Sequence, residues 1–195
     1  RQGVVRTTVD LAAVAARLAA ARGDASGLEK ARVRMRRLVR DLYTLRQMAP
    51  WKVPTSELYL VLRASLVLPA EEAIAMLEEY RSLVQAADDR QPLDQARVLL
   101  TGSFCEQPPI GLIRTLERSG CYIVDDDFVQ IHRFLRSDVA VDGDPLENLV
   151  LAFLTDAVAS PTRYIDEGEK GTELVGRIRA SGAEGVVFCA PSFCD

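Results

Sequence analysis

The sequence has one histidine, no cysteine in its first hundred residues and no excess of positive charge. Each shortage excludes something. With 24 basic against 28 acidic side chains the net charge is -4, so a polyphosphate backbone finds no general electrostatic attraction and nucleic acid is not an expected partner. No apolar run approaches the roughly 18 residues that span a bilayer. The first ten residues also lack the basic start and apolar stretch of a signal peptide. The reading is a cytoplasmic protein without a membrane segment. Cys-x-x-Cys spacing and the Gly-x-Gly-x-x-Gly fingerprint are both missing, which removes the zinc ribbon, the dithiol oxidoreductase and a strong case for a nucleotide.

The four thiols, Cys105, Cys121, Cys189 and Cys194, all fall in the second half of the chain. A disulfide framework is not expected, because 195 residues at 48% hydrophobic composition can bury a core without bridges. The thiols are then packed fillers or ligands.

Residues 9–47 carry a helical pattern. Leu28, Ala31, Met35, Leu38, Leu42 and Leu45 recur at steps of three and four and form one apolar stripe. Arg32, Arg34, Arg36, Arg37 and Arg40 give the same segment a basic face, suited to solvent, a contact between subunits or ligand phosphates. Pro50 and Pro54 end it, and Thr55 or Ser56 is placed to cap a second, densely apolar helix. Pro69 followed by Glu71 and Glu72 starts a third, over residues 70–87.

The polar, proline-containing stretch from Asp88 to Asp94 breaks the periodicity, and a boundary there divides a helical segment (residues 1–91) from an α/β subdomain (residues 92–195). Strands are expected at residues 97–102, 121–124 and 185–188. Between and around them helices are expected near residues 109–119, 128–135, 145–157 and 171–181. This alternation implies an α/β protein with a doubly wound, Rossmann-like parallel sheet, incomplete at the carboxyl terminus.

The ends of the three expected strands carry the chemistry. Gly102-Ser103-Phe104-Cys105-Glu106 follows the first, Asp125-Asp126-Asp127 the second and Cys189 to Asp195 the third. Carboxyl ends of parallel strands face the crevice in which open sheets bind ligands. The three aspartates would repel one another and are expected to divide between helix capping, pairing with a base and solvent; as a metal-binding trio they are weak candidates, since adjacent strand residues alternate faces and at most two could aim at one ion. Cys189 closes a strand and suits packing, whereas Cys194 lies beyond Pro191-Ser192 and is freer to reach a cofactor. Cys121 starts a strand at the opposite edge and suits the core. His132 falls on an expected helix, with no nucleophile beside it, and is a structural residue or a weak candidate for proton transfer.

Three separated motifs, Thr101-Gly102-Ser103-Phe104-Cys105-Glu106-Gln107-Pro108-Pro109, Ser119-Gly120-Cys121-Tyr122-Ile123-Val124-Asp125-Asp126-Asp127 and Phe188-Cys189-Ala190-Pro191-Ser192-Phe193-Cys194-Asp195, resemble the benzoyl-CoA reductase and 2-hydroxyacyl-CoA dehydratase family. The likeness is greatest to the active-site subunits (B/C type) of ATP-dependent benzoyl-CoA reductases. It implies a fragment of a catalytic subunit in anaerobic aromatic degradation, reducing benzoyl-CoA to a cyclic dienoyl-CoA. A homologous catalytic subunit and a separate ATP-hydrolysing iron-sulfur activator are the implied partners, and a 4Fe-4S cluster the implied cofactor. Cys194 matches a cluster ligand of the family. Cys105 is a second candidate, the remaining ligands belong to a subdomain outside this sequence, and Glu106 and His132 are weak candidates for delivering protons. A 2-hydroxyacyl-CoA dehydratase subunit, eliminating water, and a noncatalytic CoA-binding or assembly module are the alternatives.

Overall fold

The first helix, α1 (Ala25–Met48), buries Leu38, Val39, Leu42, Tyr43 and Arg46, residues three or four apart that therefore share one face. Four of the five are apolar or aromatic, and the fifth is a guanidinium on the apolar stripe. The computed structural model from which these contacts come describes residues 25–102, 108–128, 138, 140, 142–155 and 171–189. The amino-terminal part of the helix expected from residue 9 lies outside them.

Two further helices, α2 (Thr55–Ser65) and α3 (Ala70–Ala86), pack with α1 around Leu42, Leu58, Leu62, Leu77 and Val84. The expected threonine or serine cap of α2 is not what forms. Pro54 occupies the cap position and no side chain of the turn bonds to the helix start. The free Ser56 N–H instead donates to Glu117 Oε1 at 3.1 Å, while Thr55 donates to the strand carbonyl of Ile123 at 3.0 Å. A buried carbonyl competes effectively for that hydroxyl. At α3 the expectation holds, with Pro69 at the cap and Glu71 and Glu72 in the positive first turn.

After the connection at residues 87–95 come β1 (Ala96–Thr101), α4 (Ile110–Arg118), β2 (Cys121–Asp126), α5 (Pro145–Thr155), α6 (Thr172–Ser181) and β3 (Gly185–Phe188). The strands form a parallel sheet in the order β2-β1-β3. The chain is therefore α/β, with a helical segment leading into an open parallel sheet, as the alternating pattern indicated. Tyr59, Val98, Leu100, Ile113, Ile123 and Phe128 make a second core on this sheet, where Tyr59 and Phe128 meet edge to face at 5.5 Å.

The β1–β2 register is irregular. Val98 pairs with Ile123 but Leu99 pairs with Asp125, so Val124 is passed over. Such a bulge bends a strand and re-aims the residues after it. Here it carries the strand two residues further than its apolar run, and Asp125 and Asp126 become buried members of β2.

Candidate functional site

In an open parallel sheet the binding crevice lies outside the carboxyl ends of the strands, where the strand order reverses. That point falls between β1 and β3, because the chain leaves β1 to one side for β2 and later returns to the other side as β3. The two strand ends are closely joined. Thr101 pairs with Phe188, and the Cys189 N–H donates to the Thr101 carbonyl at 2.7 Å. Gly102 follows with φ +100°, and a Cβ on it would stand 3.3 Å from the Cys189 carbonyl oxygen. Glycine meets both demands, a left-handed backbone and a close approach.

The third strand end reaches the same place through Asp127. Its Oδ2 accepts from Thr101 Oγ1 at 2.7 Å and from the Gly102 N–H at 3.3 Å, and its own N–H donates to the Leu100 carbonyl at 3.2 Å. Cys189 is half-buried and packs against the sheet core. Burial first, and the Asp127 carboxylate second, push its thiol above the usual range. Both causes disfavour the thiolate, the form that binds metals and attacks electrophiles.

Next to this junction, the other two aspartates form a closed ion network. Asp126 Oδ2 accepts from Arg46 Nη1 at 2.6 Å, and its Oδ1 accepts from the Tyr43 hydroxyl at 2.9 Å and from the Phe128 N–H at 3.1 Å. Asp125 Oδ2 accepts from Arg177 Nε at 3.0 Å and Nη2 at 2.8 Å. Arg177 also donates to the Asp126 carbonyl. Arg46 is 1% exposed, lies 4.3 Å over the Tyr43 ring and donates to Thr55 Oγ1 at 3.3 Å. Burial is the largest single influence on Arg46 and opposes its charge, but Asp126, Tyr43 and Asp125 together outweigh it and raise its pKa; Tyr43 is also raised well above its ordinary value, by burial and then by Asp126.

The division expected for the three aspartates is corrected by this arrangement. Two of them pair with arginines inside the protein and one binds a hydroxyl and an amide at the strand ends, because the bulge keeps Asp125 and Asp126 in the strand beneath α1 and α6. The network itself was not anticipated. Its signal in the sequence is Arg46, which falls one helical turn after Leu42 on the apolar stripe and needs a buried anion. The anion lies 80 residues away, beyond the reach of periodicity. Among the arginines of the basic face, Arg34 pairs with Glu78, and Arg36 and Arg40 with Asp138. Those three cations are engaged by carboxylates of the protein itself.

Residues 25–195 match the family model described as 2-hydroxyglutaryl-CoA dehydratase, D-component. The chain belongs to this dehydratase family. It is 51% identical over 161 residues to the C-type subunit of benzoyl-CoA reductase from Thauera aromatica, an alignment covering 82% of the chain and 42% of that protein. It is 22% identical over 160 residues to the (R)-phenyllactyl-CoA dehydratase beta subunit of Clostridium sporogenes, covering 82% and 41%. The chain thus spans less than half the length of either relative. The resemblance read from the three motifs is borne out at the level of the family and of a C-type subunit.

Within the dehydratase family assignment, the residues singled out for chemistry divide sharply. Cys105, Glu106, His132 and Cys194 lie outside the described residues, as does the helix expected near residues 128–135 beyond Phe128. The described thiols are at opposite ends of the sheet, Cys189 at the switch point and Cys121 at the start of β2. Among the described residues no group of three His, Cys, Asp or Glu side chains is placed to hold a metal ion. The described part of the chain therefore does not make a cluster site, and no helix in it is long and apolar enough to cross a membrane.

Proposed function

We propose that the chain is part of a catalytic subunit of an ATP-dependent benzoyl-CoA reductase, an oxidoreductase that reduces the ring of benzoyl-CoA to a cyclic dienoyl-CoA. The observation that carries this reading is the contrast between 51% identity to a benzoyl-CoA reductase subunit and 22% to a dehydratase subunit over alignments of nearly equal length. The position of the strand ends supports it. Cys105 follows Gly102 by three residues and Cys194 follows Cys189 by five, and Gly102 and Cys189 touch at the switch point.

In this reading Cys194, with Cys105 as the second candidate, contributes ligands to a 4Fe-4S cluster completed outside this sequence. When bound, such a cluster supplies electrons at low potential. The chain's own part is local. The Thr101–Asp127–Gly102 bonds and the Gly102–Cys189 contact fix the points from which both thiol-bearing segments leave the sheet. Cys189, whose thiol is pushed up by burial and then by Asp127, is the less suited ligand of the strand ends. Glu106 and His132 remain the candidates for proton delivery. The partners are a homologous catalytic subunit and a separate ATP-hydrolysing activator, and the compartment is the cytoplasm.

The test is anaerobic assembly of the full-length subunit with its partners, assayed in parallel on benzoyl-CoA and a 2-hydroxyacyl-CoA. ATP-dependent dienoyl-CoA formation is the expected result. Loss of water from the hydroxyacyl substrate, with no reduction of the ring, would replace the reading by the dehydratase one. Iron content and the electron paramagnetic spectrum are measured in Cys194→Ala and Cys105→Ala. Unchanged iron in Cys194→Ala would remove the ligand assignment.

A further inference from the structure

At the amino end of β2, opposite the switch point, the connection between α1 and α2 stands beside the sheet and leaves a cavity of about 260 Å³. Trp51 comes from that connection, Cys121 and Tyr122 from the first residues of β2, Arg118 from the last turn of α4 and Gln95 from the approach to β1. The rings of Trp51 and Tyr122 meet at 57° with centroids 6.5 Å apart. They form a corner, in which a third ring can lie offset against one face and edge-on to the other.

The polar groups around this corner are of two kinds. The Tyr122 hydroxyl accepts from the Leu93 N–H at 2.8 Å and Glu117 Oε1 accepts from the Ser56 N–H at 3.1 Å, which ties each to a backbone amide while the Tyr122 O–H stays able to donate to a ligand. Arg118 and Gln95 make no side-chain hydrogen bond or ion pair among the described residues. A flat apolar corner beside a free guanidinium suits a planar ring carrying a carboxylate, which the guanidinium fork can grip with two parallel bonds. Size narrows the class. Pockets for drug-sized ligands begin at about 300 Å³, so a cavity of about 260 Å³ has room for a single ring.

We propose that this cavity binds a small single-ring aromatic carboxylate, with the ring in the Trp51–Tyr122 corner and the carboxylate on Arg118. The site is separate from the crevice, since the five steps from Cys121 to Asp126 place the two ends of β2 roughly 16 Å apart. It needs neither a cluster nor an acyl-CoA, and so stands or falls independently of the reductase reading. Cys121, half-buried in the wall, is a built-in reporter.

The test uses benzoate as probe on the full-length natural polypeptide, with calorimetric titration and peptide-resolved alkylation of Cys121 by iodoacetamide. Benzoate is expected to bind saturably and to slow alkylation of Cys121 severalfold, leaving Cys189 unaffected. Benzamide keeps the ring without the charge, cyclohexanecarboxylate keeps the charge without the aromatic faces, and both bind more weakly. Arg118→Gln, a surface change, weakens benzoate about tenfold; Trp51→Leu weakens benzoate and removes its advantage over cyclohexanecarboxylate. Equal protection of Cys121 in wild type and Arg118→Gln overturns the proposal. So does a Cys121 rate indifferent to benzoate, or a Cys121 that reacts only after unfolding, which would mean that protein fills the cavity.

Discussion

At the carboxyl end of β2, two aspartates meet two arginines and a tyrosine in a space closed to solvent. One strand away, between β1 and β3, a glycine, a thiol-bearing residue and a single aspartate meet at the point where the sheet reverses order. The first region is richer in charge and is the structural one: its carboxylates are answered by cations of α1 and α6. The second is poorer in charge and better placed. Its bonds run mostly through backbone groups, which fixes the points at which β1 and β3 end. Acid density is thus a poor guide to the site in this fold, and the close approach of two backbones is a better one.

Breaking the charged region is expected to have the largest effect. Arg46→Met strands Asp126 in a dry interior, and loss of one partner of a buried pair costs about 3–5 kcal/mol, read as a lowered urea midpoint. Adding Asp126→Leu to the same chain should restore part of that loss, because no charge is left unpaired, although the Tyr43 hydroxyl and the Phe128 N–H lose their acceptor. A cost for Arg46→Met of under about 1 kcal/mol, the range of exposed pairs, would mean that water reaches the network.

The switch point is tested next by Gly102→Ala, expected to cost about 1–3 kcal/mol through its backbone conformation and the carbonyl of Cys189. Gly120→Ala is the control. It has a similar φ of +88° but nothing within 4 Å of an added Cβ, so the excess cost at Gly102 measures the contact between β1 and β3. Equal costs at both positions would dissolve the junction on which the comparison rests.

Alkaline titration sharpens the comparison further. Tyr43 in the network and Cys189 at the junction both hold their protons more tightly folded than unfolded. Stability from each is therefore complete below the unfolded pKa, about 8.5 for Cys and about 10 for Tyr, and is lost as pH rises through the folded value. Tyr43→Phe should cost about 1 kcal/mol at neutral pH and flatten the loss above pH of about 10, while leaving the earlier loss due to Cys189. Urea midpoints between neutral and strongly alkaline pH separate the two. An unchanged alkaline slope in Tyr43→Phe would detach Tyr43 from the network.

Much of this architecture was legible because it rests on local pattern. β3 was placed at its observed bounds from a short apolar run opened by Gly185, and α3 from Pro69 and the two acids after it. What escaped is nonlocal. The cap of α2 comes from Glu117, 61 residues away, and the fate of Asp125 and Asp126 depends on a bulge at Val124 that no periodicity encodes. The site was legible only in part. Gly102 and the strand-end position of Cys189 follow from residue type and pattern, whereas the roles of Cys105 and Cys194 came from resemblance. Asp127, read only as one of three acids, became specific once Thr101 and Gly102 were seen to donate to it.

The smallest expected effect isolates Asp127. In Asp127→Asn the side-chain oxygen remains to accept from Thr101 Oγ1, so the strand ends stay joined, but the negative charge facing Cys189 is gone. Burial, the larger cause of the raised thiol, is untouched. The pKa of Cys189 should therefore fall only part of the way to its ordinary value, and alkylation near neutral pH should speed up by less than about tenfold, the factor that one pKa unit gives. Cys121, at the far end of β2, is the reference within the same sample. Acceleration confined to Cys189 assigns the effect to the local field of Asp127. Parallel acceleration of both thiols would mean that the substitution loosens the whole sheet, and the distinction between a bonded junction and a charged network would then fail at its most sensitive point.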